Sequence, residues 1–383
     1  MRKQDFANYL RNQIYSLPDL VEQQVENCFG PSVRDLMSMA EIFDARKIII
    51  TGCGDSYAAA LAMKPVIEKY CDCFGVDVMR TIEFTRFLSK EEIGIGEPNS
   101  PIVIVISVGG STARACEAIE KANRVGAFSI LLTNNEKSKA AGIANRVFSV
   151  NTPKFPNDSP GLRSYFASII GLIAFASRLG HVRGTLGPTG PSSWKEAIVS
   201  YVKSFETVLD SIDSQMFELA ETWADFRKFD FIGDDVGNAS ALFGADKFIE
   251  CCGSICTVDD SEDWCHINYF LKDPEDIGTV VMADKYAPSF GRIVETIGSA
   301  QKIGRPVLVI TNAEKESFIE GVTVCKLPDT PDSFEWLQPL MDYVPIALLT
   351  GYIAKMNQLD YFMGSSLDPE VLTLSTSKIE IFE

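Results

Sequence analysis

The sequence predicts an α/β protein of two doubly wound subdomains, each a parallel-sheet αβα sandwich. Three observations predict it. Unbroken apolar runs such as Ile102–Ile106 alternate with helical patterns, as buried parallel strands do. The same succession of runs occurs twice along the chain. The length, 383 residues, suffices for two bodies of ordinary domain size.

The first copy opens with Lys47-Ile48-Ile49-Ile50-Thr51-Gly52, a strand ending in a glycine turn, and a helix over Ser56–Lys69. Strand Ile102–Ile106, helix Ala113–Arg124, Gly126, strand Phe128–Leu132 and Thr133-Asn134 complete it. The second copy reads Phe229–Gly233, helix Asn238–Cys252, strand Gly278–Met282, helix Gly291–Ile303, Gly304, strand Val307–Ile310 and Thr311-Asn312. Glu117 falls in step with Glu295, Ala122 with Ala300 and Gly126 with Gly304. Strands separated by helices at this spacing form βαβ units. The expected organisation is an N-terminal helix over 1–30, a first subdomain over 31–183, and a Pro/Gly/Ser linker over 184–193. A second subdomain over 194–360 opens on helices Trp194–Asp210 and Ser214–Trp223, and a tail over 361–383 lies near the active site.

Composition narrows the function. An apolar share of 46% and a charged share of 23% belong to a soluble globular chain. A net charge of -17 opposes nucleic acid, because phosphate repulsion acts at long range. A small anion is not opposed, since local dipoles can hold it. Residues 1–20 pattern as an amphipathic helix and not as a signal peptide. The stretches Tyr165–Ala176 and Val344–Thr350 are short for a bilayer. The ten cysteines are scattered. A reduced, cytoplasmic protein with no membrane partner is expected.

One segment points to a ligand. Strand Ile102–Ile106 drops into Ser107-Val108-Gly109-Gly110-Ser111-Thr112, and a helix follows. Free N–H groups, the positive end of the helix dipole and two kinds of hydroxyl converge there. The turn has no Lys and is no Walker loop, so a single phosphate monoester fits better than a nucleoside triphosphate. The plainer alternative is an ordinary strand-to-helix turn with a cap. At the matching place in the second copy, Lys285 stands where Ser107 does and the Gly-Gly-Ser-Thr is lost. One copy is therefore expected to bind and the other to support it.

With these motifs the chain resembles the SIS (sugar isomerase) family, in the tandem form of the isomerase part of glucosamine-6-phosphate synthase. The resemblance covers about residues 30–383. In the family's Ser-Gln-Ser-Gly-Glu-Thr phosphate turn, Ser107, Gly110 and Thr112 match, while Val108, Gly109 and Ser111 are replacements. Cys53-Gly54-Asp55-Ser56 matches a Cys-Gly-Thr-Ser turn, and Glu83-Phe84 a Ser-Glu-Phe segment. Lys247, Glu250 three residues on and His266 sixteen beyond that reproduce the synthase's catalytic intervals. The resemblance implies that Glu250 shuttles a proton between C1 and C2, His266 opens the sugar ring from the partner subunit of a homodimer, and Lys247 assists a neighbouring hydroxyl. It implies no cofactor and no metal. The synthase's Schiff-base Lys matches Thr376, and Lys378, two residues later, keeps the same strand face. The loop opening at Ser159-Pro160, with Arg163 and Ser164, matches one that lines the sugar.

The side chains suit these roles on their own terms. Lys247 and Glu250 share one helix face, a carboxylate can act as base, and an imidazole titrates near neutrality. Zinc is not expected, since Cys251 and Cys252 are adjacent on a helix and diverge, and Cys256, Cys265 and His266 add no zinc-finger spacing. Cys53 is expected to be structural and not a nucleophile, within a turn, Cys53–Ser56, that is expected to border the phosphate. The acidic run Asp259–Asp263 is either a solvated loop or a place for an ammonium group. The chain begins directly on helices, so no glutaminase domain and no amide transfer from glutamine are expected. The expected activity is isomerisation of a sugar or aminosugar 6-phosphate. The alternatives are C–N cleavage, as in aminosugar-phosphate deaminases and fructosamine-6-phosphate deglycases, and a non-catalytic sugar-phosphate sensor.

Overall fold

The computed structural model describes Lys3 and residues 8–72, 75–94, 101–156, 160–367 and 373–382. The strands are β1 Lys47–Gly52, β2 Gly75–Arg80, β3 Ile102–Ile106, β4 Phe128–Thr133, β5 Arg146–Ser149, β6 Lys228–Ile232, β7 Ile255–Asp259, β8 Ile277–Ala283, β9 Val307–Thr311 and β10 Thr323–Lys326. They form two five-stranded sheets in the orders β2-β1-β3-β4-β5 and β10-β9-β8-β6-β7. Every pairing is parallel. Read from opposite ends, the two orders are one topology, as the internal repeat requires.

The chain separates into two compact units. One, carrying the first sheet, comprises Leu20–Lys154, Arg163–Ile198 and Leu367–Glu383. The other, carrying the second, comprises Met1–Asp19, Phe155–Leu162 and Val199–Ser366. The stretch expected as a linker over 184–193 falls within Arg163–Ile198. A helix already starts there at Gly190 and runs to Ser204, because Pro191 in its first turn has no intrahelical donor to lose. The chain then makes a 3-10 turn and a second helix, Leu209–Trp223.

The core of each unit follows from the apolar runs. In the first, Ile49, Val103, Val105 and Leu131 are fully buried against Cys116, Ile119 and Ala122 of helix Ala113–Arg124. In the second, Ile232, Val281 and Val309 meet Ile293, Ile297 and Ala300 of helix Phe290–Lys302. Ala122 and Ala300 thus hold one packing position in the two copies. Each buried Val or Ile contributes about 1.5–3 kcal/mol.

Both first strands end alike. A Cβ on Gly52 would lie 2.7 Å from Ser56 Cβ, and one on Gly233 would run into the Gly237 backbone, so neither position admits a side chain. Each glycine is followed two residues later by a positive-φ residue, Gly54 (φ 51, ψ -126) and Asp235 (φ 48, ψ -118), which turns the chain into its helix.

The N-terminal segment forms helices Tyr9–Tyr15, capped by Asn8, whose side chain accepts from Arg11 N at 3.0 Å, and Leu17–Phe29. Residues 1–2 and 4–7 of the expected amphipathic helix lie outside the described residues. The apolar stretch at Tyr165–Ala176 belongs to a longer helix, Leu162–Arg183. By length and composition this helix could cross a membrane, but 83% of its most apolar window is buried within the protein.

Candidate functional site

In the first sheet β1 and β3 are neighbours, with Thr51 opposite Val105. From β1 the order continues to β2 on one side, and from β3 to β4 on the other. The connections diverge there, and the carboxyl ends of strands at such a switch point are where open α/β sheets bind ligands. Two turns border this point on strands about 4.8 Å apart: Cys53–Ser56 after β1 and Ser107–Thr112 after β3.

The Ser107–Thr112 turn is held from behind. Ser107 is buried, and its N–H donates to the Leu132 carbonyl at 3.0 Å. The Val108 carbonyl accepts from Asn134 N at 3.1 Å and Thr133 Oγ1 at 3.0 Å. The Gly109 carbonyl accepts from Asn135 Nδ2 at 3.3 Å, and the Gly110 carbonyl from Ala140 N at 3.0 Å. In a trans peptide the carbonyl and the next N–H point in opposite directions. With three successive carbonyls tied to segment 133–140, the N–H groups of Gly109, Gly110 and Ser111 are directed the other way. Gly110 makes this possible: its φ is +61, and a Cβ there would collide with the Ser138 side chain. Thr112 precedes helix Ala113–Arg124 in extended conformation, and its side chain makes no cap bond. The result is a row of amides at the positive end of a twelve-residue helix, which suits an anion.

The companion turn is tighter. Ser56 N donates to the Cys53 carbonyl at 3.1 Å, and helix Asp55–Cys71 starts at once, so Asp55 and Ser56 occupy its first turn. Gly54 is exposed, and the Cys53 thiol lies 2.7 Å from Thr81 Oγ1.

Other residues lie elsewhere in the unit. Arg163 and Ser164 stand in the first turn of helix Leu162–Arg183, where burial lowers the Arg163 pKa. Ser159 lies outside the described residues. Lys378 is exposed, and its ammonium lies 2.5 Å from Glu380 Oε1.

The tail brings in a group that was not foreseen. The N–H of Ala113, the first helical residue beyond the turn, donates to the Leu374 carbonyl at 2.8 Å. Arg114 donates to Ser377 Oγ at 3.0 Å and to the Lys378 carbonyl. Arg86 donates to the Glu380 carbonyl at 2.7 Å, with its guanidinium 4.7 Å from the Phe382 ring centroid. Between the two arginines sits Glu117, a buried carboxylate paired with both. The available signal was a carboxylate among Ala113, Cys116, Ala118 and Ile119 on the buried helix face.

In the second unit Lys247 and Glu250 do meet. They lie three residues apart on helix Val236–Cys252 and form an ion pair. The Lys247 side chain is buried, with its ammonium 5.0 Å from the Phe243 ring centroid, while Glu250 is partly exposed. A buried ammonium requires such a partner. His266 is not brought to them within the fold. Glu250 precedes β7 and His266 follows it, so the strand, about 13 Å long, separates them. The imidazole is exposed, and its Nε2 lies 3.1 Å from Glu262 Oε1. His266 and the Arg292 guanidinium hold the Glu262 carboxyl below its ordinary pKa.

The acidic run is taken up locally. Asp259 accepts from Asn268 Nδ2 at 2.6 Å, and Asp260 Oδ1 accepts from the N–H groups of Glu262 and Asp263 at 2.8 Å each. Where the first copy has the Ser107–Thr112 turn, the second has Lys285, 2.5 Å from Asp329, and Asp284, bonded to Asn312. Among the described residues, no group of three or more His, Cys, Asp or Glu side chains is arranged to hold a metal.

Comparison with known proteins agrees with this architecture. No family model matches the chain. It is 25% identical over 360 residues to a glutamine–fructose-6-phosphate aminotransferase (isomerizing) of Thermococcus kodakarensis, covering 94% of this chain. The chain spans 57% of that relative's length. Among solved structures, the C-terminal domain of glucosamine-fructose-6-phosphate aminotransferase from Francisella tularensis superposes with a TM-score of 0.79 at 18% identity. That match covers 94% of this chain and 99% of the other. A glucosamine-6-phosphate deaminase from Thermotoga maritima follows with a TM-score of 0.67 at 14% identity, covering 94% and 98%.

Proposed function

We propose, from the tandem SIS architecture this chain has, that it is a phosphosugar isomerase acting on a sugar 6-phosphate or aminosugar 6-phosphate. The observation that carries the reading is the amide row of Ser107–Thr112 at the switch point between β1 and β3. It offers one phosphoryl group several N–H donors, the hydroxyls of Ser107, Ser111 and Thr112, and a helix dipole, without a cation. Cys53–Ser56 borders the opposite side, with Ser56 as a further donor. Arg163, Ser164 and Lys378 are placed by this reading around the sugar.

The chemistry then needs a base beside the carbonyl carbon. Glu250 removes the proton there, giving an enediol or, from an aminosugar, an enolamine, and returns it to the neighbouring carbon. Lys247 stabilises the developing oxyanion. His266 opens the ring. Its separation from Glu250 by β7 supports delivery from a second copy of the chain, so the active form is a homodimer. No metal or cofactor takes part in this scheme.

A panel of hexose, hexosamine and fructosamine 6-phosphates, assayed for isomer and for released amine, tests the proposal. Isomer without amine is the expected result. Released ammonia or amino acid would replace isomerisation with C–N cleavage. Binding without turnover, unchanged in Glu250→Gln, would make the chain a sensor.

A further inference from the structure

The ion triad Arg86–Glu117–Arg114 has no part in the chemistry above, yet its carboxylate is buried on the helix that starts at the amide row. Glu117 is 0% exposed, and its carboxylate oxygens are divided between the two guanidinium groups. Arg86 comes from the short π-helix Glu83–Phe87, and Arg114 from the second position of the helix that starts at the turn. Each arginine keeps donors for the tail, to Glu380 from Arg86 and to Ser377 and Lys378 from Arg114. Ile379 packs on the core beside them. Fastened there, the tail sets the Leu374 carbonyl against the Ala113 N–H, 2.8 Å away. That N–H is the next donor after Thr112 and would otherwise join the anion site.

We infer that Glu117 is a positioning residue: by holding Arg86 and Arg114 in place, it pins the tail across the helix start, withdraws the Ala113 N–H from the phosphate turn and sets how tightly the turn holds an anion. The inference rests on the reading of Ser107–Thr112 as a phosphate site. Removing one carboxylate between two arginines frees both from a fixed direction, and backbone carbonyls alone do not fix a guanidinium fork.

The test uses the full chain, wild type and Glu117→Gln, with Glu117→Asp as the conservative rescue. Hydrogen exchange is followed at Ala113 and over 373–382, and inorganic phosphate is titrated by calorimetry. In Glu117→Gln, exchange at both places is expected to rise at least tenfold, and phosphate to bind about fivefold tighter as Ala113 N–H becomes available. Glu117→Asp moves both values back toward wild type. A folded Glu117→Gln whose tail exchanges as slowly as wild type overturns the inference. So does a loosened tail with unchanged phosphate affinity. If Glu117→Gln does not fold, Arg114→Met, which keeps Glu117 paired with Arg86, is read in the same way. A wild-type protein that ignores phosphate defeats the reading of the turn instead, and exchange alone then decides whether Glu117 pins the tail.

Discussion

The two units share strand order, glycine-ended first strands and an alanine at the same helix–sheet contact, yet they differ at the turn after the central strand and in what surrounds the matched glutamates. In the first, Gly110 and its neighbours form an amide row, and Glu117 is buried between two arginines. In the second, the matching turn has lost its glycines, and Glu295 is an exposed partner of Arg292. The second unit places its buried ion pair elsewhere, on Asp230 and Arg305 at 3.1 Å. A βαβ scaffold is specified by apolar periodicity, which both copies keep. A site is specified by a few turn residues, which each copy is free to change.

The largest effect that would sharpen this contrast is on turnover. On the proposed function, Glu250→Gln should lower kcat by about 10²–10⁴-fold while leaving inorganic phosphate affinity unchanged, because the proposed base and the proposed phosphate turn belong to different copies. Loss of both together would break the division of labour. Next comes the turn itself. Gly110→Val should destabilise the protein by roughly 2 kcal/mol, since it places a branched side chain at positive φ and against Ser138. It should also weaken phosphate binding more than tenfold. Pro288→Ala, at the matching place in the second copy, should change neither. Thermal melts with phosphate titration decide both.

Those outcomes also measure how much was legible. The central strands were, because Ile102–Ile106 and Val307–Ile310 are unbroken apolar runs. The edge strands β2, β5, β7 and β10 were not named in advance, because one-sided burial leaves them mixed: β7 has Ile255 69% exposed and no fully buried residue. Ser107–Thr112 announced itself through composition. Glu117 did not, although its match to Glu295 was visible, because sequence cannot show that one is buried and the other exposed. The tail was expected near the site but its partners were not: Arg114 and Ser377 are 263 residues apart, and nothing local links them. Glu250 and His266 were matched by their interval, and an interval does not show that β7 lies between them.

A further contrast concerns pH. Asp342 follows the second sheet, and burial, aided by Asp284 and opposed by the Ser240 hydroxyl, pushes its pKa up to about 8. The folded state then keeps a proton that the unfolded chain releases near pH 4. Stability should fall as pH rises from about 4 to about 8 and then level off. Asp342→Asn, which can still accept from Ser240, should flatten that slope and raise stability at pH 8, measured by urea unfolding across the range. A wild-type curve rising over the same interval would remove Asp342 from the account. The smallest effect is expected at Glu295→Gln, less than about 0.5 kcal/mol by the same unfolding measurement. A loss comparable to that of a buried pair would erase the distinction between Glu117 and Glu295.

Because Leu374 bonds to Ala113 and Ser377 to Arg114, the start of their helix in the first sheet's unit is covered by residues synthesised long after it. At about 5–20 residues per second, the start of helix Ala113–Arg124 emerges some tens of seconds before its closing strap. During translation that helix end therefore waits uncovered, and a message cut short before codon 374 would yield a first sheet without this strap.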